Sequence, residues 1–489
     1  MEYKFDDLEI GAKPVIHYFE EISAIPHGSG NTKGISDYLA GFAKEHGLRH
    51  IQDRAGNVII FKNASKGAEK SATLILQGHM DMVCEKEADV SIDMDKEPIS
   101  LQLDADGDTL RAQGTTLGAD NGIGIAIMLA VLDNDELVHP PLECIATVDE
   151  ETGMLGCAEL DCSTLSGRKL LNLDSEDEGV FVAGCAGGTT LTSFLPADTK
   201  TREGTPLTIT VTGLKGGHSG EMINEGRASA NQVLGRLLSA LRRAYPCRLI
   251  SVNGGTKDNA ITREAVAKIL FKPGRTHAEI EEWLTCFDKT LKDEYQFTDP
   301  GISVNYMWEE DHVCDVIRKG EARKIAAFLC TFPYGVQEYS PVSKNLPQTS
   351  LNLGILKTLG HEISATFLIR SSIDSQKDME TDRVRALTKA LGGLSKVEST
   401  YPAWEFRKDS AFRDKITEIY KKQTGKDAKI DIIHGGVECG LICGKIPGLD
   451  AVSAGPDIYD IHTPAEHISL KSIDRFYTFV LELLKEIAK

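Results

Sequence analysis

The sequence lacks the long apolar runs that membrane proteins need. None of its apolar stretches approaches the roughly 20 residues that a membrane span requires, and its polar, acidic beginning lacks the apolar core of a signal peptide. The 11 cysteines are scattered without a CxxC pair, which is typical of reduced thiols rather than of a disulfide framework. We therefore expect a protein of the cytoplasm that has no membrane partner.

Positive charge is also scarce. The chain has 73 acidic residues against 54 lysines and arginines, a formal net charge of -19. Because nucleic-acid binding needs clustered basic residues, this composition argues against a nucleic-acid partner. Surplus acid is typical of a solvated surface, although some carboxylates could instead bind metal ions. With 489 residues, of which 41% are hydrophobic, the chain is long enough for two or three globular domains.

The order of predicted helices and strands divides the chain into three segments. Residues 1–186 alternate amphipathic helices with buried strands, which is typical of an α/β sheet with helices on both faces. Residues 187–400 follow the order strand, helix, strand, strand, helix, strand, and a similar order then recurs. Residues 401–489 return to the α/β pattern. We predict one catalytic domain with a mostly parallel central sheet, split in sequence by an inserted α+β lid domain that contains an internal duplication.

Two short motifs place metal-binding residue types at a predicted strand end and a turn. In GHMD, His79 and Asp81 project to the same side of a strand, so Asp81 could orient a metal-binding His79. A surface turn explains this pair equally well. Asp120 lies in a glycine-flanked turn before a helix, where it could bind metal, cap the helix or belong to a phosphate loop. The glycines do not match GxGxxG and no Walker lysine follows, which argues against nucleotide binding.

Acidic residues follow two further predicted strands. Asp149, Glu150 and Glu151 repel one another and indicate either a solvated turn or a nearby cation. One glutamate could bind metal while its neighbour acts as general base. Asp174 follows another apolar strand, and His462 lies in a loop where it could be merely exposed. Mixed histidine and carboxylate ligands suit Zn, Mn or Co, and no GxSxG nucleophile motif is present.

Six segments together carry a resemblance to a known family. GHMD, GADNGIG, DEETG, NLDSE, GGHSG and IHTPAEH resemble, in order and spacing, the co-catalytic zinc peptidases of the aminoacylase and carboxypeptidase-G type over nearly the whole chain. Within this family, the sequence most resembles the aminoacyl-histidine dipeptidases. The resemblance implies hydrolysis of dipeptides that have a free amino terminus, including Xaa-His and β-alanyl-histidine (carnosine). It also implies two divalent metal ions per chain, zinc in the first place and cobalt or manganese as alternatives.

The resemblance further implies a set of metal ligands. One ion would be held by His79 and Asp174 and the other by Glu151 and His462, and Asp120 would bridge the two. All five residues match the types that the family has at these positions. The resemblance therefore gives no sign of an inactive relative.

Three more positions take catalytic roles from the same resemblance. Asp81 would orient His79, and Glu150 would be the general base that takes a proton from the metal-bridging water. His218, in LKGGHSG, would reach the scissile carbonyl from the inserted domain. Taken alone, the segment GGHSG is equally compatible with an ordinary turn.

Substrate-binding residues are less marked in the sequence. An aspartate at position 174 resembles the aminopeptidases and dipeptidases of the family, and this favours a substrate with a free amino terminus. Arg370 is a candidate clamp for the substrate carboxylate, because a guanidinium can pair with both oxygens. The other candidates for substrate contacts are Asn259, His434, Gly435, Gly436 and Glu438. A structural arginine and ordinary turns are the alternatives.

Competing functions remain open on the sequence. The nearest alternatives are an N-acyl amino acid deacylase or a tripeptide aminopeptidase of the same family. A non-catalytic metal- or peptide-binding protein is disfavoured by the retained Glu150. Because a duplicated insert could stand in for a dimer interface, both a monomer and a homodimer are compatible with the sequence.

Overall fold

The computed structural model describes residues 5, 10–274 and 277–489. The expectation that the chain begins without a signal peptide concerns mainly residues 1–4 and 6–9, which lie outside the described residues. Among the described helices, none is long and apolar enough to cross a membrane.

The chain forms two compact units, and each contains more than one stretch of sequence. The first unit consists of Met1–Gly184, Phe406–Ile432 and Val437–Lys489. The second unit consists of Cys185–Glu405 and Ile433–Gly436.

The helices are distributed over the whole described chain. They are α1 (Lys13–Ser23), α2 (Lys33–Glu45), α3 (Ala119–Asp133), α4 (Leu155–Glu159), α5 (Ala230–Ala244), α6 (Ala278–Glu294), α7 (Lys319–Thr331), α8 (Asp374–Ala390), α9 (Ala411–Thr424), α10 (Glu438–Lys445) and α11 (Leu470–Ile487).

The strands range in length from 2 residues in β11 to 14 residues in β10. They are β1 (Arg49–Gln52), β2 (Val58–Lys62), β3 (Leu74–His79), β4 (Leu101–Leu103), β5 (Thr109–Ala112), β6 (Leu142–Thr147), β7 (Lys169–Asn172), β8 (Val180–Cys185), β9 (Gly187–Pro196), β10 (Thr199–Thr212), β11 (Gly217–His218), β12 (Arg248–Gly254), β13 (Ala260–Ile261), β14 (Ala265–Phe271), β15 (Ser303–Trp308), β16 (His312–Ile317), β17 (Gly335–Tyr339), β18 (Pro347–Leu359), β19 (Glu362–Ser371), β20 (Leu394–Tyr401), β21 (Lys429–Ile433), β22 (Asp450–Ser453), β23 (Ile458–Tyr459) and β24 (His467–Ser469).

The first unit is built on an eight-stranded sheet with the order β1-β2-β6-β3-β7-β22-β8-β21. The central strands β6, β3, β7 and β22 are parallel, whereas the pairs β1/β2, β2/β6 and β22/β8 are antiparallel. Every residue of β3 and β6 is buried, as expected for strands covered on both faces. Helices α1, α3 and α11 contribute side chains to the same hydrophobic core. The predicted fold class, a mostly parallel sheet flanked by helices, is confirmed.

The carboxyl ends of the parallel strands meet at one edge of this sheet. His79 is the last residue of β3 and pairs in register with Thr147, the last residue of β6. Gln77 of β3 is opposite Asn172, where β7 ends. Ligand sites of α/β sheets lie at this edge. The acidic segments that follow β6 and β7 are therefore brought close to His79.

The second unit contains a ten-stranded sheet, with the order β15-β10-β14-β12-β18-β19-β9-β20 and with β16 and β17 paired to β10 and β18. All of its pairings are antiparallel. The order is symmetrical about the β12/β18 pair: outward from it lie β14, β10 and β15 on one side and β19, β9 and β20 on the other. The recurring order of elements is thus present in the sheet, while the internal duplication itself stays a prediction.

Candidate metal centre and active site

His79 presents its two ring nitrogens to different groups. Its Nδ1 lies 3.0 Å from the backbone oxygen of Asp81 and 3.5 Å from the Asp81 carboxylate. Its Nε2 lies 3.1 Å from Asp120 Oδ1 and 3.3 Å from Asp174 Oδ1. An Nδ1–H that donates to Asp81 leaves Nε2 free to bind a metal ion. The nearer partner is the backbone of Asp81, whereas the sequence suggested its side chain.

Asp120 lies between two imidazoles. While its Oδ1 faces His79, its Oδ2 lies 3.2 Å from Nε2 of His462. The same Nε2 is 2.9 Å from Oε1 of Glu151. His79, Asp120 and Glu151 each offer a ligand atom within 4.8 Å of the others. This group is a candidate metal site, and Asp120 is the carboxylate within reach of both imidazoles.

The electrostatics of this cluster favour a cation. Burial raises the pKa of Asp174 and of Glu151. Hydrogen bonds to Asp120 and Glu151 raise the pKa of His462 to about 10. Although burial acts to raise the pKa of Asp120, its hydrogen bonds with His462 and His79 bring that pKa below the usual range. Crowded, partly buried carboxylates with two imidazoles fit the ligand chemistry of a divalent ion such as zinc.

Asp81 ties the neighbouring loop to this cluster. Its Oδ1 accepts the backbone N–H of Glu150 at 3.0 Å. Its Oδ2 accepts the hydroxyl of Ser29 at 2.8 Å and the backbone N–H of Glu151 at 3.4 Å. Asp81 therefore positions His79 and the two glutamates together. For the side chain of Glu150, burial raises the pKa well above its ordinary value.

Comparison with known proteins identifies the family. Residues 75–486 match the profile of the Peptidase family M20/M25/M40. The chain belongs to this peptidase family. It is 37% identical over 491 residues to the cytosol non-specific dipeptidase of Escherichia coli K12, and the match covers 98% of each chain.

Solved structures agree with this assignment. The crystal structure of the aminoacylhistidine dipeptidase from Vibrio alginolyticus is similar with a TM-score of 0.87 and 33% identity, covering 98% of this chain and 97% of that chain. A tripeptidase from Staphylococcus aureus, with 18% identity and a TM-score of 0.56 over 98% and 99% of the two chains, shares the fold. The predicted family, the fold class and a metallopeptidase as the class of enzyme are confirmed.

In this M20/M25/M40 peptidase, Glu466 supports the turn that carries Asp120, and the sequence did not reveal this contact. Its Oε2 accepts the backbone N–H groups of Leu117 and Gly118 at 2.7 and 3.0 Å. Its Oε1 accepts those of Ala119 and Asp120 at 2.8 and 3.3 Å. Gly118 has a φ of 69°, in the left-handed region that favours glycine. The sequence feature that could have indicated this contact is that Glu466 lies in IHTPAEH, the motif that also contains His462.

Glu438 lies beneath the strand ends. It is fully buried, and its Oε2 accepts hydrogen bonds from Gln77 at 2.5 Å and from Thr147 at 2.6 Å. Asn172 in turn donates to Gln77 at 2.7 Å. Burial raises the pKa of Glu438 to about 7. Polar residues inside otherwise apolar strands, as in LILQGH and LLN, are the sequence signal that was missed.

Three of the residues predicted to contact substrate form a cluster in the second unit. Arg370 is 5% exposed; its Nη1 donates to the Tyr401 hydroxyl at 3.1 Å, and its Nη2 lies 3.4 Å from Nε2 of His218. His434 Nε2 lies 2.7 Å from the hydroxyl of Ser350. Burial, with Arg370 and His218 nearby, lowers the pKa of His434 to about 3. Burial and Arg370 also lower the pKa of His218.

The other residues of the second unit that were predicted to contact substrate are Asn259, Gly435 and Gly436. The backbone oxygen of Asn259 accepts the N–H of Ser219 at 2.8 Å, and its side chain is exposed. Gly435 accepts the N–H of Ala186 at 3.1 Å through its backbone oxygen. Gly436 is partly buried in the same loop. Their contacts with substrate stay predictions.

Proposed function

We propose that this peptidase hydrolyses dipeptides that have a free amino terminus, with Xaa-His dipeptides such as β-alanyl-histidine among its substrates. The observation that carries the proposal is the cluster of two histidines and three carboxylates at the strand ends. It occurs in a chain that is 37% identical to a cytosol dipeptidase. The same similarity favours the cytoplasm as the location. We assign the first unit as the catalytic domain and the second as the inserted lid domain.

The metal ligands follow from the same cluster. His79 and Asp174 would hold one divalent ion, His462 and Glu151 would hold the second, and Asp120 would be shared. Two such ions would supply positive charge for the developing oxyanion and lower the pKa of water. Imidazole and carboxylate donors suit zinc, and they also accept cobalt or manganese.

The protein's own residues would carry the proton transfers. Glu150 would take a proton from the attacking water and deliver it to the leaving amine, which is the role of a general base and acid. Asp81 would hold the backbone of Glu150 in place through the 3.0 Å hydrogen bond. We assign His218 to the scissile carbonyl as a hydrogen-bond donor.

The second unit offers groups for the ends of a dipeptide. Arg370 would pair with the substrate carboxylate, because its Nε has no hydrogen-bond partner among the described residues and an unpaired buried donor favours a ligand. Asn259, His434, Gly435 and Gly436 are the further candidates for substrate contacts. Glu438 is fully buried against Gln77 and Thr147, so for this residue we propose a supporting role in place of a substrate contact.

The test is amine release from β-alanyl-histidine by metal-stripped protein reconstituted with Zn, Mn or Co. Metal-dependent turnover that is lost in Glu150→Gln supports the proposal. N-acetylated amino acids and tripeptides, assayed in parallel, separate it from a deacylase and from a tripeptide aminopeptidase. Turnover of those substrates without turnover of any dipeptide would overturn the proposed specificity.

A further inference from the structure

The second unit contains a cleft of about 530 Å³ whose lining is strongly basic. It is formed by β10, the end of α5, the beginning of β12, the residue after β14 and the first turns of α7. The cationic side chains that line it are Arg202, Arg242, Arg248, Lys272, Lys319 and Arg323. The carboxylate of Glu203 also lines the cleft, so six cations face one acid in a chain where acids outnumber bases by 73 to 54.

These cations are not neutralised by neighbouring acidic side chains. Among the described residues, none of the six forms an ion pair with a carboxylate. Arg242 instead donates from Nη1 to the backbone oxygen of Ala322 in α7, which fixes its guanidinium at the cleft. Other basic residues of the same unit are paired, as in Arg236 with Glu294 and Lys268 with Glu309. The cleft therefore brings together six cations whose charge no carboxylate partner offsets within the described part of the chain.

The cations lie close enough to affect one another. Burial lowers the pKa of Arg242, and Arg323 and Arg248 lower it further. The pKa of Lys200, at the edge of this region, is lowered by Arg202 first and then by burial and Arg248. Such mutual repulsion costs free energy that a bound anion would offset. Lys319 is also the first residue of α7, so the positive end of that helix dipole lies at the cleft.

We propose that this cleft binds a small oligophosphate, a molecule with two or more linked phosphate groups. Guanidinium forks match the geometry of phosphate oxygens, and four of the six cations are arginines. The volume lies within the range of about 300–1,000 Å³ that small-molecule sites have. The ligand would not be the substrate of the peptidase, because every residue of the cleft is distinct from those assigned to catalysis.

The probe is tripolyphosphate, titrated calorimetrically into the holoenzyme at physiological ionic strength. We expect saturable binding to the unaltered protein and a loss of affinity of about 10- to 100-fold in the double variant Arg248→Glu/Arg323→Glu, because two charge-assisted contacts are removed. The matched control Lys289→Glu/Lys357→Glu changes two exposed lysines of the same unit by the same charge and should keep the original affinity. Chelation of metal ions by tripolyphosphate would be equal in both variants, so their difference isolates the cleft.

Several outcomes would overturn the proposal. They are no binding at millimolar tripolyphosphate, equal weakening in both double variants, or tighter binding of citrate than of tripolyphosphate. Tighter binding of a single-stranded oligonucleotide than of tripolyphosphate would also overturn the proposal, because the ligand would then be a nucleic acid. If the charge-reversed protein fails to fold, Arg248→Gln/Arg323→Gln provides the same comparison without introducing acid. Dipeptidase turnover without tripolyphosphate should be unchanged in both double variants.

Discussion

The carboxylate of Glu466 accepts the backbone N–H of Asp120 at 3.3 Å and thereby holds the turn that presents Asp120 to the candidate metal site. The same carboxylate accepts three more N–H groups from residues 117–119. A fully buried acceptor with four backbone donors has little freedom to move. We infer that Glu466 is a positioning residue for Asp120.

Glu466→Gln is expected to weaken metal binding and to lower the free energy of unfolding by about 2–4 kcal/mol. The reason is that the amide would turn an N–H donor toward backbone donors and leave them unpaired. Metal content after dialysis, measured by mass spectrometry, and a melting curve check both effects. The exposed Glu418→Gln is the matched control. Retention of two ions with unchanged affinity would show that Glu466 has no positioning role.

Asp174→Asn is expected to stabilise the metal-free protein and to reduce the stabilisation that added zinc provides. Burial raises the pKa of Asp174, and the nearby charge of Asp120 raises it further. Removing one negative charge relieves this repulsion by roughly 1 kcal/mol, but it also removes a proposed metal ligand. Melting temperatures with and without zinc check both parts. A lower melting temperature of the metal-free variant would contradict the prediction.

Glu150→Gln is expected to lose activity alone, whereas Glu151→Gln is expected to lose both activity and bound metal. Loss of a general base should reduce kcat about 10²- to 10⁴-fold while metal content stays normal. Loss of a metal ligand should reduce metal content as well as kcat. Parallel measurement of kcat and bound metal separates the two. If both variants lose metal equally, the role assigned to Glu150 is wrong.

The buried His434 is expected to make the protein less stable in mild acid. Its pKa is lowered to about 3 in the folded protein, first by burial and then by Arg370 and His218. The unfolded chain therefore binds a proton below about pH 6.5 while the folded chain does not, and the free energy of unfolding falls by about 1.4 kcal/mol per pH unit. Above that pH the residue is neutral in both states and contributes no pH dependence.

His434→Gln tests this pH dependence. Between pH 7 and pH 5, the unaltered protein should lose about 2 kcal/mol more unfolding free energy than the variant. Urea unfolding at the two pH values measures the difference. The exposed His361→Gln, in the same unit, is the matched control and should follow the unaltered protein. Equal slopes for all three proteins would contradict the lowered pKa.

Local patterns in the sequence predicted much of the first unit. The apolar runs of β3, β6 and β7 predicted buried parallel strands. Because His79, Glu151 and Asp174 lie at or just after the ends of these strands, they were expected at one edge of the sheet. These features depend on periodicity over a few residues, so one sequence is sufficient to detect them. The resemblance to the peptidase family depended on six motifs in order, since no single motif was specific enough to indicate it.

Contacts between distant segments could not be predicted in this way. Glu438 is separated from Gln77 by 361 residues, and Glu466 from Leu117 by 349. Such partners meet only after the chain has folded. Helix α10 was also missed, because HGGVECG has the composition of a turn. Burial of Cys439 and Ile442 shows that tertiary packing outweighs the local preference there.

The ten-stranded sheet of the second unit has two halves of similar strand order, one on each side of the β12/β18 pair, within a single polypeptide. In an assembly of two identical chains, every mutation would appear in both halves. Here a substitution in β12 leaves β18 unchanged, so each half can evolve independently. Arg370 on β19 lies in one half, and the basic residues on β10 and β12 lie in the other. Under the two proposals made above, one half would contact substrate while the other would bind an oligophosphate.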